Sequence, residues 1–120
     1  ALAPYAIVQF WKGDTALIAE ALKQGHRVIH SSHRHTYHDY NHTKIPLEKA
    51  YDFSPFPKGM DRKYKPLLLG SGCQMWSEWI PRIEDMQRQV FPRIAAYAES
   101  GWTIENKKNF TRFSTSLSQI

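Results

Sequence analysis

The chain has 120 residues, 16 Lys and Arg against 11 Asp and Glu, a formal charge of +5 with six neutral His, and 42% hydrophobic and 22% charged residues. That balance is globular and excludes a disordered or collagen-like chain, and the length allows one domain or part of one. No apolar run approaches the ~20 residues of a membrane-spanning helix, and the lone Cys73 excludes an internal disulfide.

Residues 6–11 (AIVQFW) form a short apolar run rich in strand formers and closed by Lys12-Gly13, which predicts a buried strand. Asp14 then reads as a helix N-cap. Leu17, Ile18, Ala21 and Leu22 recur at helical spacing, and Gly25 sits where a left-handed terminator belongs. Residues 27–31 (RVIHS) predict a second strand. Strand, helix and strand in this order imply a parallel pair. Residues 32–66 show no lasting period beyond a helical turn near 47–53. A loop of that length in a compact domain is usually functional, and its aromatics (Tyr37, Tyr40, Tyr51, Phe53, Phe56) argue against disorder. Residues 65–70 (KPLLLG) predict a third strand. Pro81, Glu84 and Asp85 suit a helix start, with Ile83, Met86 and Val90 on one face, and Pro92 must break or restart that helix. Ile94 to Ala98 carry it on to Ser100-Gly101. Phe110, Phe113 and Leu117 mark a last amphipathic stretch.

Three parallel strands cannot close a barrel and leave two sheet edges open. A (β/α)₈ barrel needs ~250 residues, so the expected fold class is α/β, the C-terminal portion of such a barrel, incomplete alone, with 32–66 as a long active-site loop. Barrel function sits at the C-terminal strand ends. There the chain places Trp11, then Tyr37-His38-Asp39, then Trp76-Ser77-Glu78. Indole faces wall a pocket for a methyl group or lie under a sugar ring, a phenol donates to a carbonyl oxygen, and carboxylates accept from sugar hydroxyls. Together they suit an uncharged, polar, ring-shaped ligand.

Residues 9–13 (QFWKG), 31–40 (SSHRHTYHDY) and 69–78 (LGSGCQMWSE), followed by Phe91-Pro92-Arg93 and 98–102 (AESGW), resemble the C-terminal part of the catalytic barrel of retaining β-N-acetylhexosaminidases, glycoside hydrolase family 20, about strands six to eight. The resemblance implies a role for each residue. Trp11 and Trp76 would line the pocket for the acetamido methyl. Tyr37 would bind the acetamido oxygen as it attacks the anomeric carbon. Asp39 would bind outer hydroxyls, and Glu78 those at C4 and C6. It also implies substrate-assisted retention through an oxazolinium intermediate, with no cofactor. The family's catalytic Asp-Glu pair belongs on the fourth barrel strand, which this chain lacks. Its adjacent acids, Glu84-Asp85, open a predicted helix instead. A sugar-binding Arg from the first strand and a pocket Trp from the fifth are missing too. The chain alone is therefore expected to be inactive: either another polypeptide supplies the N-terminal part of the barrel, or the chain is a fragment. Ala1 begins the chain almost on a strand, the start that a cut inside a larger protein leaves, as a processed N-terminus also does. His38 replaces the family's usual Leu, and the loop lacks an extra Trp that some members carry.

Other readings rank lower. Six His fall between 26 and 42, but no zinc frame accompanies them, so they are read as exposed loop residues, or as one ring orienting Asp39, and no metal site is expected. Lys58, Arg62, Lys63 and Lys65 form a solvated basic loop, and no nucleic-acid partner is expected. A non-catalytic carbohydrate-binding protein using the same five residues ranks second. Asn41-His42-Thr43 and Asn109-Phe110-Thr111 fit the glycosylation pattern, and the family's habit of working on polymers points to a secreted, periplasmic or lysosomal setting.

Overall fold

The computed structural model describes residues 2–120; Ala1 lies outside the described residues. Three strands, β1 (Ile7–Phe10), β2 (Arg27–His30) and β3 (Leu68–Ser71), form one sheet in the order β1-β2-β3, and both pairs are parallel. Val8 lies opposite Val28, and His30 lies opposite both Phe10 and Ser71. Helix α1 (Ala16–Lys23) crosses from β1 to β2. Its N-cap is Thr15, one residue later than expected, but the Asp14 carboxylate supplies the capping chemistry by accepting from the Ala16 N–H at 2.9 Å. Gly25, at φ +87°, turns the chain out of the helix as predicted. Ile18 and Leu22 are buried on α1 and pack with Phe10 and Val28 into the core between helix and sheet.

The third strand begins later than the sequence suggests. Residues 62–67 form a 3₁₀ turn, and pairing starts at Leu68. Pro66 has no N–H for a ladder and its fixed φ suits the helical turn, so it sits inside the turn instead of opening a strand. The register then slips: Leu68 pairs with Val28 and Gly70 with Ile29. This bulge places Gly70 at φ +142°, a conformation side chains disfavour.

The segment 32–66 is far more ordered than its lack of period implied. It holds α2 (His33–Thr36) and α3 (Leu47–Asp52), the latter at the expected helical turn. After β3 come α4 (Ile83–Val90), α5 (Arg93–Trp102) and α6 (Phe110–Leu117). The break between α4 and α5 falls at Phe91-Pro92, as the sequence requires, whereas α5 runs through Gly101 to Trp102. A second core joins these parts: Ile45, Ala50, Tyr51 and Phe53 from the loop pack against Ala96 and Tyr97 of α5, with Phe110 and Phe113 beside them. Period analysis misses this core because its loop contributors come from a single turn and the coil around it.

Gly72 follows β3 in tight surroundings. A Cβ there would lie 2.5 Å from Ser31 Oγ and 2.7 Å from Gln74 Nε2. Ser31 is fully buried and cannot swing away. Gly72→Ala is expected to lower stability by about 1–3 kcal/mol through this overpacking; an unchanged melting temperature would refute the close approach.

Candidate active site

The ladder does not stop where the strands do. Ser31 N–H donates to Phe10 O at 2.7 Å and His33 N–H to Trp11 O at 2.9 Å. Across the other pair, Gly72 N–H donates to His30 O at 3.2 Å and Gln74 N–H to Thr36 O at 3.3 Å, while His38 N–H donates to Gln74 O at 2.7 Å. An isolated parallel bridge joins Tyr37 and Gln74. The three loops leaving the strand ends are thus laced edge to edge. Period 2 then places alternate residues, Tyr37 and Asp39 on one segment and Gln74, Trp76 and Glu78 on the next, on the same side.

All five side chains singled out from the sequence, Trp11, Tyr37, Asp39, Trp76 and Glu78, line one cavity of about 920 Å³. Tyr37 is buried, and its ring centroid lies 6.3 Å from that of Trp76 and 6.0 Å from that of Tyr40. The Trp11 and Trp76 indoles are each 52% exposed, so they present open faces to the cavity instead of filling the core. Gln9, Tyr40, Asn41, Lys44, Gln74 and Trp79 complete the lining and were not assigned a role from the sequence. Gln9 had a signal, its alternation with the buried Phe10; Tyr40 and Trp79 directly follow the two acids; Asn41 and Lys44 had none. Tyr40 is held by a 2.7 Å hydrogen bond between its hydroxyl and His33 Nδ1, and Lys44 Nζ lies 5.1 Å from its ring.

Burial raises the Asp39 carboxyl above its ordinary pKa, and the Glu78 charge adds to this. The backbone N–H groups of Asp39 and Trp76 and the Arg93 guanidinium oppose that rise. Asp39 Oδ1 is shut off from solvent with no hydrogen-bond partner among the described residues. The adjacent acids Glu84 and Asp85 lie elsewhere, in the first turn of α4, where Asp85 pairs with Arg82 and Arg88.

The histidines correct the sequence reading. His26, His30 and His38 are buried, not exposed. His30 Nδ1 bonds to Pro55 O at 2.9 Å, and His42 Nε2 to Arg88 O at 2.7 Å. The His38 ring stacks edge-on against Tyr97, with centroids 5.3 Å apart, and does not orient the Asp39 carboxylate. Burial, with the nearby Arg93 charge, pushes its pKa from 6.5 down to about 4. Because the folded value is depressed, the unfolded chain binds the proton first as pH falls. Stability is therefore lost between pH 6.5 and about 4 and is unaffected by this group above that window. His38→Leu is expected to flatten the fall in melting temperature across this interval; an unchanged slope would rule His38 out as its source.

Residues 1–105 match the family described as glycosyl hydrolase family 20, catalytic domain. A beta-hexosaminidase of Porphyromonas gingivalis is 29% identical over 93% of this chain and 16% of its own length. Beta-hexosaminidase 3 of Arabidopsis thaliana is 34% identical over 81% of this chain and 17% of its own length. A solved beta-N-acetylhexosaminidase superposes with a TM-score of 0.88 at 24% identity, across 98% of this chain and 28% of that one. The chain belongs to glycoside hydrolase family 20. Its fold is the C-terminal part of that family's TIM-barrel domain, as the strand order and the resemblance implied. It spans less than a fifth of the length of these two relatives.

Proposed function

We propose that this chain is the substrate-gripping C-terminal part of a β-N-acetylhexosaminidase, which removes terminal N-acetylhexosamine from glycans by substrate-assisted retention. The observation that carries the reading is the convergence of two indoles, a buried phenol and two carboxylates on one cavity at the strand ends. Trp11 and Trp76 enclose the acetamido methyl. Tyr37 donates to the acetamido oxygen and holds it in line with the anomeric carbon, so that the substrate supplies its own nucleophile. Asp39 and Glu78 accept from the hydroxyls of the terminal sugar, and these charge-assisted bonds fix the ring. The acid that protonates the leaving oxygen, and the carboxylate that orients the acetamide, come from the strands of the barrel that these 120 residues do not include. In this reading residues 32–66 form the active-site loop. No cofactor takes part, and the enzyme acts on glycans in a secreted, periplasmic or lysosomal setting. No helix among the described residues is long and apolar enough to cross a membrane.

The test is an assay of a chromogenic N-acetylglucosaminide with this chain, with the polypeptide carrying the missing strands, and with both together. Turnover by the pair and by neither part alone is expected. Saturable sugar binding without turnover in any mixture would replace this reading with that of a carbohydrate-binding protein.

A further inference from the structure

Arg93 is fully buried, and no carboxylate among the described residues forms an ion pair with it. A guanidinium removed from water with no carboxylate in contact with it is costly unless its donors are all well placed. Arg93 places them on backbone carbonyls: Nη2 donates to His38 O at 2.8 Å, Nη1 to Ile45 O at 3.3 Å and Nε to Gln89 O at 3.0 Å. Four positions earlier, Gln89 Nε2 donates to Asp39 O at 3.1 Å. Four positions later, the Tyr97 hydroxyl donates to His35 O. Residues 89, 93 and 97 thus share a face across the α4–α5 break, and their donors hold the carbonyls of His35, His38, Asp39 and Ile45. Tyr37 lies between the first two of these, and Asp39 carries the third.

We infer that Gln89, Arg93 and Tyr97 form a clasp that sets where Tyr37 and Asp39 stand in the cavity, acting as positioning residues for the site. The catalytic part of this inference rests on the hexosaminidase reading; the mechanical part does not. The clasp grips main chain, so it fixes the 35–45 segment whatever side chains that segment carries. Lysine cannot replace Arg93, because a single ammonium on a flexible stem cannot bridge three carbonyls that the planar fork reaches at once. Gln89 and Tyr97 each add one donor, so the segment is held at four points along eleven residues.

The experiment compares Arg93→Lys, Tyr37→Phe and the double variant in the assembled barrel. Turnover and backbone amide exchange are both measured. Arg93→Lys is expected to lower kcat about tenfold and to speed exchange at residues 36–46 while leaving residues 7–30 unchanged. The double variant is expected to lose less than the product of the two single losses, since Arg93 acts in part through Tyr37 and in part through Asp39. Losses that multiply, or exchange at 36–46 equal to the parent's, would overturn the clasp. Should the parent assembly turn over no hexosaminide, the functional reading fails by itself, and the exchange measurement still decides the clasp. Gln89→Ala removes one donor only; if Arg93→Lys does not fold, the same two readouts on Gln89→Ala decide.

Discussion

Tyr37→Phe in the assembled barrel is expected to cut kcat about a hundredfold or more while moving KM by no more than about threefold, the pattern of a donor that acts where charge develops in the transition state. The ring itself is not at issue. Tyr37 is buried with its ring near Tyr40 and Trp76, and phenylalanine keeps those contacts, so the melting temperature should hold. In the proposed reading, what is lost is the hydroxyl that restrains the attacking acetamido oxygen, and with it the near-attack geometry. Unchanged kcat with a raised KM would assign Tyr37 to ground-state binding and remove it from the chemistry.

Glu78→Gln should act on the other half of the work. If Glu78 binds the terminal sugar as proposed, replacing the carboxylate with an amide weakens its charge-assisted bonds to the hydroxyls, and a rise in KM of about tenfold or more is expected. A second effect follows from the neighbouring acid. Asp39 is raised by burial and by the Glu78 charge, and it is held down by the backbone N–H groups of Asp39 and Trp76 and by Arg93. Removing the negative charge of Glu78 lowers the Asp39 pKa, so Asp39 stays ionised to lower pH and the acid limb of kcat/KM moves to lower pH. An acid limb that stays in place would show that the two carboxylates do not sense each other, and an unchanged KM would remove Glu78 from the sugar.

The sequence pointed to the five residues that line the cavity more clearly than it pointed to the fold around them. Trp11, Tyr37-x-Asp39 and Trp76-x-Glu78 follow apolar runs that any strand pattern reveals, and alternation on an extended backbone sends the paired residues to one side. The segment between the second and third strands was opaque for the opposite reason. Its order comes from α3 packed on α5 and from the buried Arg93, contacts that span 48 and 55 residues of chain to Ile45 and His38 and leave no local period. Pro66 misled in the usual way: an apolar run after it reads as strand from its first residue, although a residue without an N–H is placed more easily in the turn before the ladder. The histidines misled through composition. Clustered polar residues in a loop suggest a wet surface, but His30 and His38 pack against Phe53 and Tyr97 and are shaped as much by those rings as by their nitrogens.

The bridge between Tyr37 and Gln74 has a practical meaning for anyone who would redesign this pocket. Specificity cannot be transplanted one loop at a time. A segment grafted over 36–39 without its counterpart over 72–78 would arrive with its amide partners out of step, and a one-residue slip would turn the phenol and Asp39 away from the cavity together. The two stretches are one interchangeable cassette, and libraries that vary them jointly should retain function far more often than libraries that vary either alone.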